Sequence, residues 1–372
     1  MPIYTRLQRA ALLALPLVLA CVQAHAAPLY VVTPLGSIGT SGDIRHINKT
    51  GAVVGHALGA SSAANAYVSA GGSTVNLHPP GAGASYASGI NDAGRVAGHV
   101  EQGGVTRAVT FANGLVEQVG GLGGVNSYAA AINNKGQVAG SAETADGNLH
   151  GFVGLPGGPL IDLGTLGGAA SQATDLNESG AVVGRADVAG GSYHAFRYAD
   201  SIMRDLGTLG GTFSEANGIN DLGAVAGFSY MAGDGYAHAF LFEGDTMRDL
   251  STLGGMNSFA YGVNNLGQVV GGSETAGGRA LHAFVYANGS MTDLNDLIAP
   301  DLGYVLNYAA DINDAGQIAA FGCNQLEQCR GFLLTLNQVA AVPLPGTPAL
   351  LGLGLFGILL VRRFSRRAAD RD

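Results

Sequence analysis

Four histidines recur along the chain, His150, His194, His238 and His282, and each is followed by a carboxylate, Asp162, Asp205, Asp249 or Asp293. Imidazole and carboxylate are the groups from which metal sites and acid–base pairs are built. Their regular spacing argues against both. Equivalent positions in successive structural units lie well apart, whereas a metal holds its ligands within ~2.1 Å. A histidine bonded to a carboxylate or hydroxyl of its own unit is therefore the expected arrangement. Other chemistries lack their residues. The Gly-Gly runs have no nucleotide-loop lysine and open no helix, and neither a Gly-x-Ser-x-Gly elbow nor a His-x-x-x-His pair occurs. Calcium-loop patterns are too sparse. Tryptophan is absent, which leaves tyrosine and phenylalanine as the platforms for stacking a sugar. Two cysteines stand in the body of the chain, Cys323 and Cys329, and in an oxidising compartment they are expected to form a disulfide. No catalytic residue, cofactor site or metal ligand is predicted.

The histidines belong to a larger pattern. The segment Ile219-Asn220-Asp221-Leu222-Gly223-Ala224-Val225-Ala226-Gly227 has seven copies, marked by Asn48, Asn91, Asn133, Asn177, Asn220, Asn264 and Asn313. Their spacings are 43, 42, 44, 43, 44 and 49 residues. Such a period signifies a repeat architecture.

Each unit reads as four short strands. Six residues before the Asn stands Ser85, Ser127, Ser171, Ser214 or Ser258, and four before it stands Ala87, Ala129, Ala173, Ala216, Ala260 or Ala309. This alternation has the period of a strand. Asn-x-x-Gly is turn chemistry, with Asn bonding locally and Gly supplying a positive φ. A second strand such as Gln268–Gly271 follows, then a third, as in His238-Ala239-Phe240-Leu241-Phe242, and a fourth, as in Met247-Arg248-Asp249-Leu250. Seven such units predict an all-β, seven-bladed propeller of four-stranded blades. A β-solenoid is the alternative. The seventh unit ends after its third strand, near Leu336, and Val32–Gly39 aligns with Met203–Gly210. An N-terminal strand completing the last blade would close the ring and remove its open edge. Small Ser and Ala on the first strand are expected at the central channel, with Phe and Tyr of the third strand between blades. No set of acids, histidines or tyrosines peculiar to one blade stands out.

Composition agrees with a well-buried, turn-rich β protein: 60 glycines in 372 residues, 47% hydrophobic and only 12% charged. The formal charge of −9 conceals basic ends. Between residues 27 and 361 there are 11 basic and 25 acidic residues, a net charge of −14. Such a surface disfavours nucleic acid.

Both ends read as addresses. Residues 1–26 resemble a secretory signal, with Arg6 and Arg9, an apolar run Ala10–Ala20, and Ala24-His25-Ala26 before a mature start at Ala27. Residues 27–338 hold the repeats, and 339–372 a linker and tail. That tail carries Val342-Pro343-Leu344-Pro345, an apolar run Ala349–Val361, and Arg362, Arg363, Arg366 and Arg367. Thirteen apolar residues span ~20 Å as a helix, short of the ~30 Å bilayer core. The basic cluster would stay cytoplasmic.

This tail resembles the PEP-CTERM sorting signal of Gram-negative bacteria that make exopolysaccharide, with Leu344 where that family usually has Glu. The resemblance implies export through the inner membrane, a membrane-bound precursor held by a C-terminal hydrophobic helix, recognition by an exosortase, and delivery to the cell surface or matrix. The third-strand triplets, His194-Ala195-Phe196, His238-Ala239-Phe240 and His282-Ala283-Phe284, resemble those that name the HAF family of extracellular repeat proteins. Units one and two depart from it, with Asn65-Ala66-Tyr67 and Arg107-Ala108-Val109. The expected role is structural or binding, in contact with exopolysaccharide or another surface protein. The rival expectation is a secreted carbohydrate-active hydrolase or lyase with its site at the propeller mouth.

Overall fold

The computed structural model of the chain describes residues 29–36, 42–59, 62–278 and 280–337. Within these lie seven four-stranded antiparallel sheets, one for each repeat. Blade five is representative, with strands Gly210–Ile219, Val225–Met231, Ala237–Glu243 and Thr246–Asp249 paired in order. The fold is the seven-bladed propeller that the period predicts.

The repeated asparagine sets the geometry twice over. Its side-chain oxygen closes its own turn: Oδ1 of Asn220 accepts from the backbone N–H groups of Leu222 (3.1 Å) and Ala224 (2.9 Å). Gly223 then takes φ = +83°, where a side chain would be strained. The same asparagine's Nδ2 reaches the next blade and donates to the Asn264 carbonyl at 2.9 Å. All seven asparagines do this in succession, and Asn313 donates to the Asn48 carbonyl at 3.0 Å, so the circuit closes on itself. All seven are buried. A buried amide that satisfies donor and acceptor capacity in two blades is costly to replace.

Between blades the core is aromatic on one side and small on the other. Phe240 is fully buried among Ala181, Val183 and Ala195 of blade four and Ala216, Ile219 and Val225 of its own blade. Phe152, Phe196, Phe284 and Phe332 are buried likewise, each contributing about 1.5–3 kcal/mol of transfer free energy. The repeated serine stitches the same seam. Ser214 Oγ accepts from Ala195 N–H of the preceding blade at 2.8 Å, and Ser85, Ser127, Ser171 and Ser258 do the equivalent.

Blade seven takes its fourth strand from the other end of the chain. Tyr30–Pro34 pairs antiparallel with Cys329–Leu336, from Tyr30 opposite Leu336 to Pro34 opposite Phe332. The strand starts two residues before the aligned Val32–Gly39 and ends at Pro34, and residues 37–39 of that segment lie outside the described residues. Leu35 N–H still donates to the Gly331 carbonyl at 2.9 Å, and its side chain joins the core between blades seven and one. The only helical turn among the described residues is a 3₁₀ segment, Leu294–Leu297. No helix among them is long and apolar enough to cross a membrane. The expected C-terminal helix and signal segment lie outside the described residues.

Candidate functional site

The first strands turn their repeated serines to the preceding blade and not to the channel, contrary to expectation, whereas Ala87, Ala129 and Ala173 do line it. The residues between serine and alanine share the inner position with those alanines. Five positions before the asparagine these are Asp43, Tyr86, Tyr128, Gln172, Glu215, Phe259 and Tyr308. Each pairs with a second-strand residue that shares its face: His56, His99, Ser141, Arg185, Phe228, Gly272 and Phe321. A register shift then falls just beyond the alanine, as between Ala216 and Gly218 in blade five. This bulge gives the channel two adjacent residues in four blades, Arg45-His46, Ala130-Ala131, Thr174-Asp175 and Ala310-Asp311, and one in each of the others, Ser88, Asn217 and Tyr261. These columns are the ones in which the repeat is broken. A blade-specific set of acids, histidines and tyrosines therefore does exist, and it was missed because its members are scattered over separate units.

Most of these residues line a cavity of about 860 Å³ on the propeller axis, while Arg185, Phe228, Phe259, Gly272 and Phe321 stand outside its lining. One side of it is an aromatic wall. His56 meets Tyr86 edge-on (ring centroids 4.9 Å apart), Tyr86 stacks on His99 (4.6 Å), and His99 meets Tyr128 edge-on (5.3 Å). The other side is polar. Asp43 binds Arg45 at 2.7 Å and accepts from the Tyr308 hydroxyl. Arg185 joins Glu215 at 3.2 Å and Gln172 at 3.0 Å, and its guanidinium lies 4.9 Å from the Tyr193 ring centre.

His46, Asp175 and Asp311 line both this cavity and a smaller space of about 140 Å³ beside the asparagine ring, so they form the waist of the channel. Asp175 accepts from Leu176 N–H (2.8 Å) and from Ile219 N–H of the next blade (2.9 Å). Asp311 does the same with Ile312 (2.8 Å) and Ile47 (3.0 Å), and lies 3.5 Å from His46 Nε2. Both carboxylates thus tie blades together. Burial nevertheless pushes the Asp175 carboxyl up to about 6, against the pull of His46 and two backbone N–H groups. Burial raises Asp311 and Glu215 as well. It depresses the imidazoles instead, His99 to about 4 and His56 below its usual range. Nδ1 of His99 and of His46 are buried with no hydrogen-bond partner among the described residues.

The other sequence candidates fall elsewhere. His150, His194, His238 and His282 each bond the carboxylate of their own blade, Asp162, Asp205, Asp249 and Asp293, at 2.6 to 3.0 Å. These aspartates also bind the backbone N–H two residues on, at Gly164, Gly207, Ser251 and Asn295. The pairs are structural latches between third and fourth strands. Cys323 and Cys329 face each other across the hairpin of blade seven, with Cα atoms 4.0 Å apart and sulfurs at bonding distance. Ala26, Ala27, Val342, Pro343, Leu344, Pro345, Arg362 and Arg363 lie outside the described residues.

Fold and site together define an all-β propeller whose axial cavity carries the non-repeated chemistry. Residues 341–367 match the PEP-CTERM protein-sorting motif. A motif of this kind implies export, processing by an exosortase-type enzyme and sorting to the surface. No curated protein matches the chain. Among solved structures, it is similar to TolB from Acinetobacter baumannii, with 12% identity over 76% of this chain and 63% of that one, TM-score 0.46. The chain thus spans less than two thirds of that TolB. It is also similar to YCF48 bound to D1 peptide (12% identity, 85% of this chain and 97% of that one, TM-score 0.47). A gluconolactonase from Xanthomonas campestris matches at 12% identity over 84% and 99%, TM-score 0.39. At this level of likeness nothing of those proteins' activities transfers to this chain.

Proposed function

We propose that the protein is an exported binding propeller, held at the surface or in the exopolysaccharide matrix of a Gram-negative bacterium, whose axial cavity takes a saccharide segment. The observation that carries this reading is that the columns breaking the seven-fold repeat converge on one cavity. Its volume suits a short oligosaccharide. Tyr86, His99 and Tyr128 offer ring faces to the apolar face of a sugar, while Gln172, Asn217 and the carboxylates offer hydrogen bonds to hydroxyls. The C-terminal motif supplies the address. The repeats fit an extracellular HAF-type protein, and the role is binding rather than catalysis.

The second reading, a carbohydrate hydrolase or lyase, is favoured by one observation: a carboxyl raised to about 6 in a cleft is a candidate general acid. Against it, both oxygens of Asp175 are engaged by backbone N–H groups of two blades. The test is a glycan array probed with the purified protein, its Tyr86→Ala and Tyr128→Ala variants, and an activity screen on every glycan bound. Retention of a glycan that the variants lose, without turnover, supports the binding reading. Turnover abolished by Asp175→Asn would establish the enzyme instead. A truncation after Ala341 is expected to appear free in the medium or periplasm; persistence on the membrane would exclude the sorting role.

A further inference from the structure

We infer that the saccharide taken by the axial cavity carries protonated amino groups, with its ring face on the Tyr86–His99–Tyr128 wall and its amine toward the waist formed by Asp175 and Asp311. This rests on the saccharide reading of the cavity and names the ligand's chemical class.

The inference follows from a balance of charge along the lining. Four carboxylates line the cavity, Asp43, Asp175, Glu215 and Asp311, against one guanidinium, Arg45. Arg45 is already committed to Asp43 at 2.7 Å. Glu215 has Arg185 beside it at 3.2 Å. At the waist the only basic side chain beside Asp175 and Asp311 is the His46 imidazole, 3.5 Å from Asp311, and backbone N–H groups satisfy their hydrogen bonding without cancelling their charge. The imidazoles of His56 and His99 are neutral near pH 7, so they add no positive charge. Burial raises Asp175, Asp311 and Glu215 because the lining strips water from each carboxylate, and an ammonium brought beside them would offset that loss.

Three ligand classes then separate. A uronate would bring a further carboxylate into a lining that is already anionic and whose one guanidinium is occupied. A neutral or N-acetylated sugar would gain the stacking and the hydroxyl contacts alone. An amino sugar gains the same contacts and also places an ammonium in a partly dry, acidic waist, where charge-assisted hydrogen bonds are strongest. The outer surface works in the same direction, since residues 27–361 carry a net charge of −14 and draw cationic chains toward the mouth.

The experiment is calorimetric titration of the purified full chain with three probes: a β-linked glucosamine tetramer, the same tetramer fully N-acetylated, and a galacturonate tetramer. Each is measured at low and high salt. The glucosamine tetramer is expected to bind about tenfold tighter than the N-acetylated one at low salt, with the gap narrowing as salt rises. The galacturonate tetramer is expected to be the weakest. Asp175→Asn should bring the affinity ratio of the two glucosamine probes toward one. Because Asp175 also ties blades four and five, Glu215→Gln is measured beside it; it leaves Arg185 without its carboxylate and should lower the ratio as well. Tyr128→Ala should weaken both probes together. Equal or tighter binding of the N-acetylated probe, or preference for galacturonate, overturns the amine assignment while leaving the saccharide reading standing. Failure of all three probes to bind overturns the saccharide reading, and the inference with it.

Discussion

Asn220 allows the ring-closing role of the repeated amide to be measured. In Asn220→Ala three hydrogen bonds are lost, to Leu222 N–H, Ala224 N–H and the Asn264 carbonyl. Their consequences differ. Leu222 is 80% exposed, so water replaces its partner at little cost. Asn264 keeps a second bond, from Gly267 N–H at 3.0 Å, and its carbonyl loses about 1 kcal/mol. Ala224 is buried, and its orphaned N–H costs about 2 kcal/mol. The variant should therefore be less stable by about 3–4 kcal/mol, a large share of a typical domain's ~5–15 kcal/mol. Asn220→Asp separates the two functions of the amide. It keeps the acceptor for Leu222 and Ala224 but sets an oxygen against the Asn264 carbonyl. Protonation would restore a donor there, so the folded state should hold that proton more tightly than the unfolded chain, and the Asp variant should regain stability as pH falls. Urea unfolding followed by tyrosine fluorescence, the chain having no tryptophan, reads both variants. An Ala variant within about 1 kcal/mol of the parent, or an Asp variant with the pH response of the Ala variant, would refute the inter-blade role.

Three further outcomes are expected. Deleting residues 28–34 strips Tyr30–Pro34 from Cys329–Leu336 and exposes an unpaired edge in blade seven; size-exclusion profiles and thermal melts should show aggregation and a marked fall in Tm, and an unchanged monomer would contradict closure by this strand. Non-reducing peptide mapping of exported protein should recover Cys323 and Cys329 in one linked fragment; the six-residue separation makes the linkage worth about 2 kcal/mol, and two free thiols would disprove it. Asp175 holds its proton up to about 6 in the folded protein against an ordinary 3.8, so its favourable contribution is complete below pH ~4 and is lost as pH rises through 6. Asp311 and Glu215 act in the same sense, while the depressed imidazoles of His99 and His56 and the lowered carboxyls of Asp92 and Glu143 act in the opposite one. In Asp175→Asn the Tm at pH 5 should fall relative to that at pH 7.5, compared with the same difference in the parent, because the contribution removed is the one present only at the lower pH; an unaltered difference would count against it.

The period, the four strands of each unit and the borrowing of an N-terminal strand were legible in the sequence, because each rests on local chemistry. Asn-x-x-Gly makes a turn wherever it stands, alternation at Ser-x-Ala makes a strand, and the resemblance of Val32–Gly39 to Met203–Gly210 needs no coordinates to be seen. The His–Asp latches were legible for the same reason, since both partners lie within one blade. The second bond of each asparagine was not, because its acceptor is 42 to 49 residues away, or 265 where Asn313 meets Asn48. The cavity was not legible either. Alternation says that a strand has two faces but not which one looks at the axis, and the bulge beside the alanine changes that face partway along. Asp43, Tyr86, Tyr128, Asp175, Glu215, Tyr308 and Asp311 look like scattered deviations from a repeat when read along the chain. Only closure of the ring turns their two repeat positions, spread over six separate units, into one shared space.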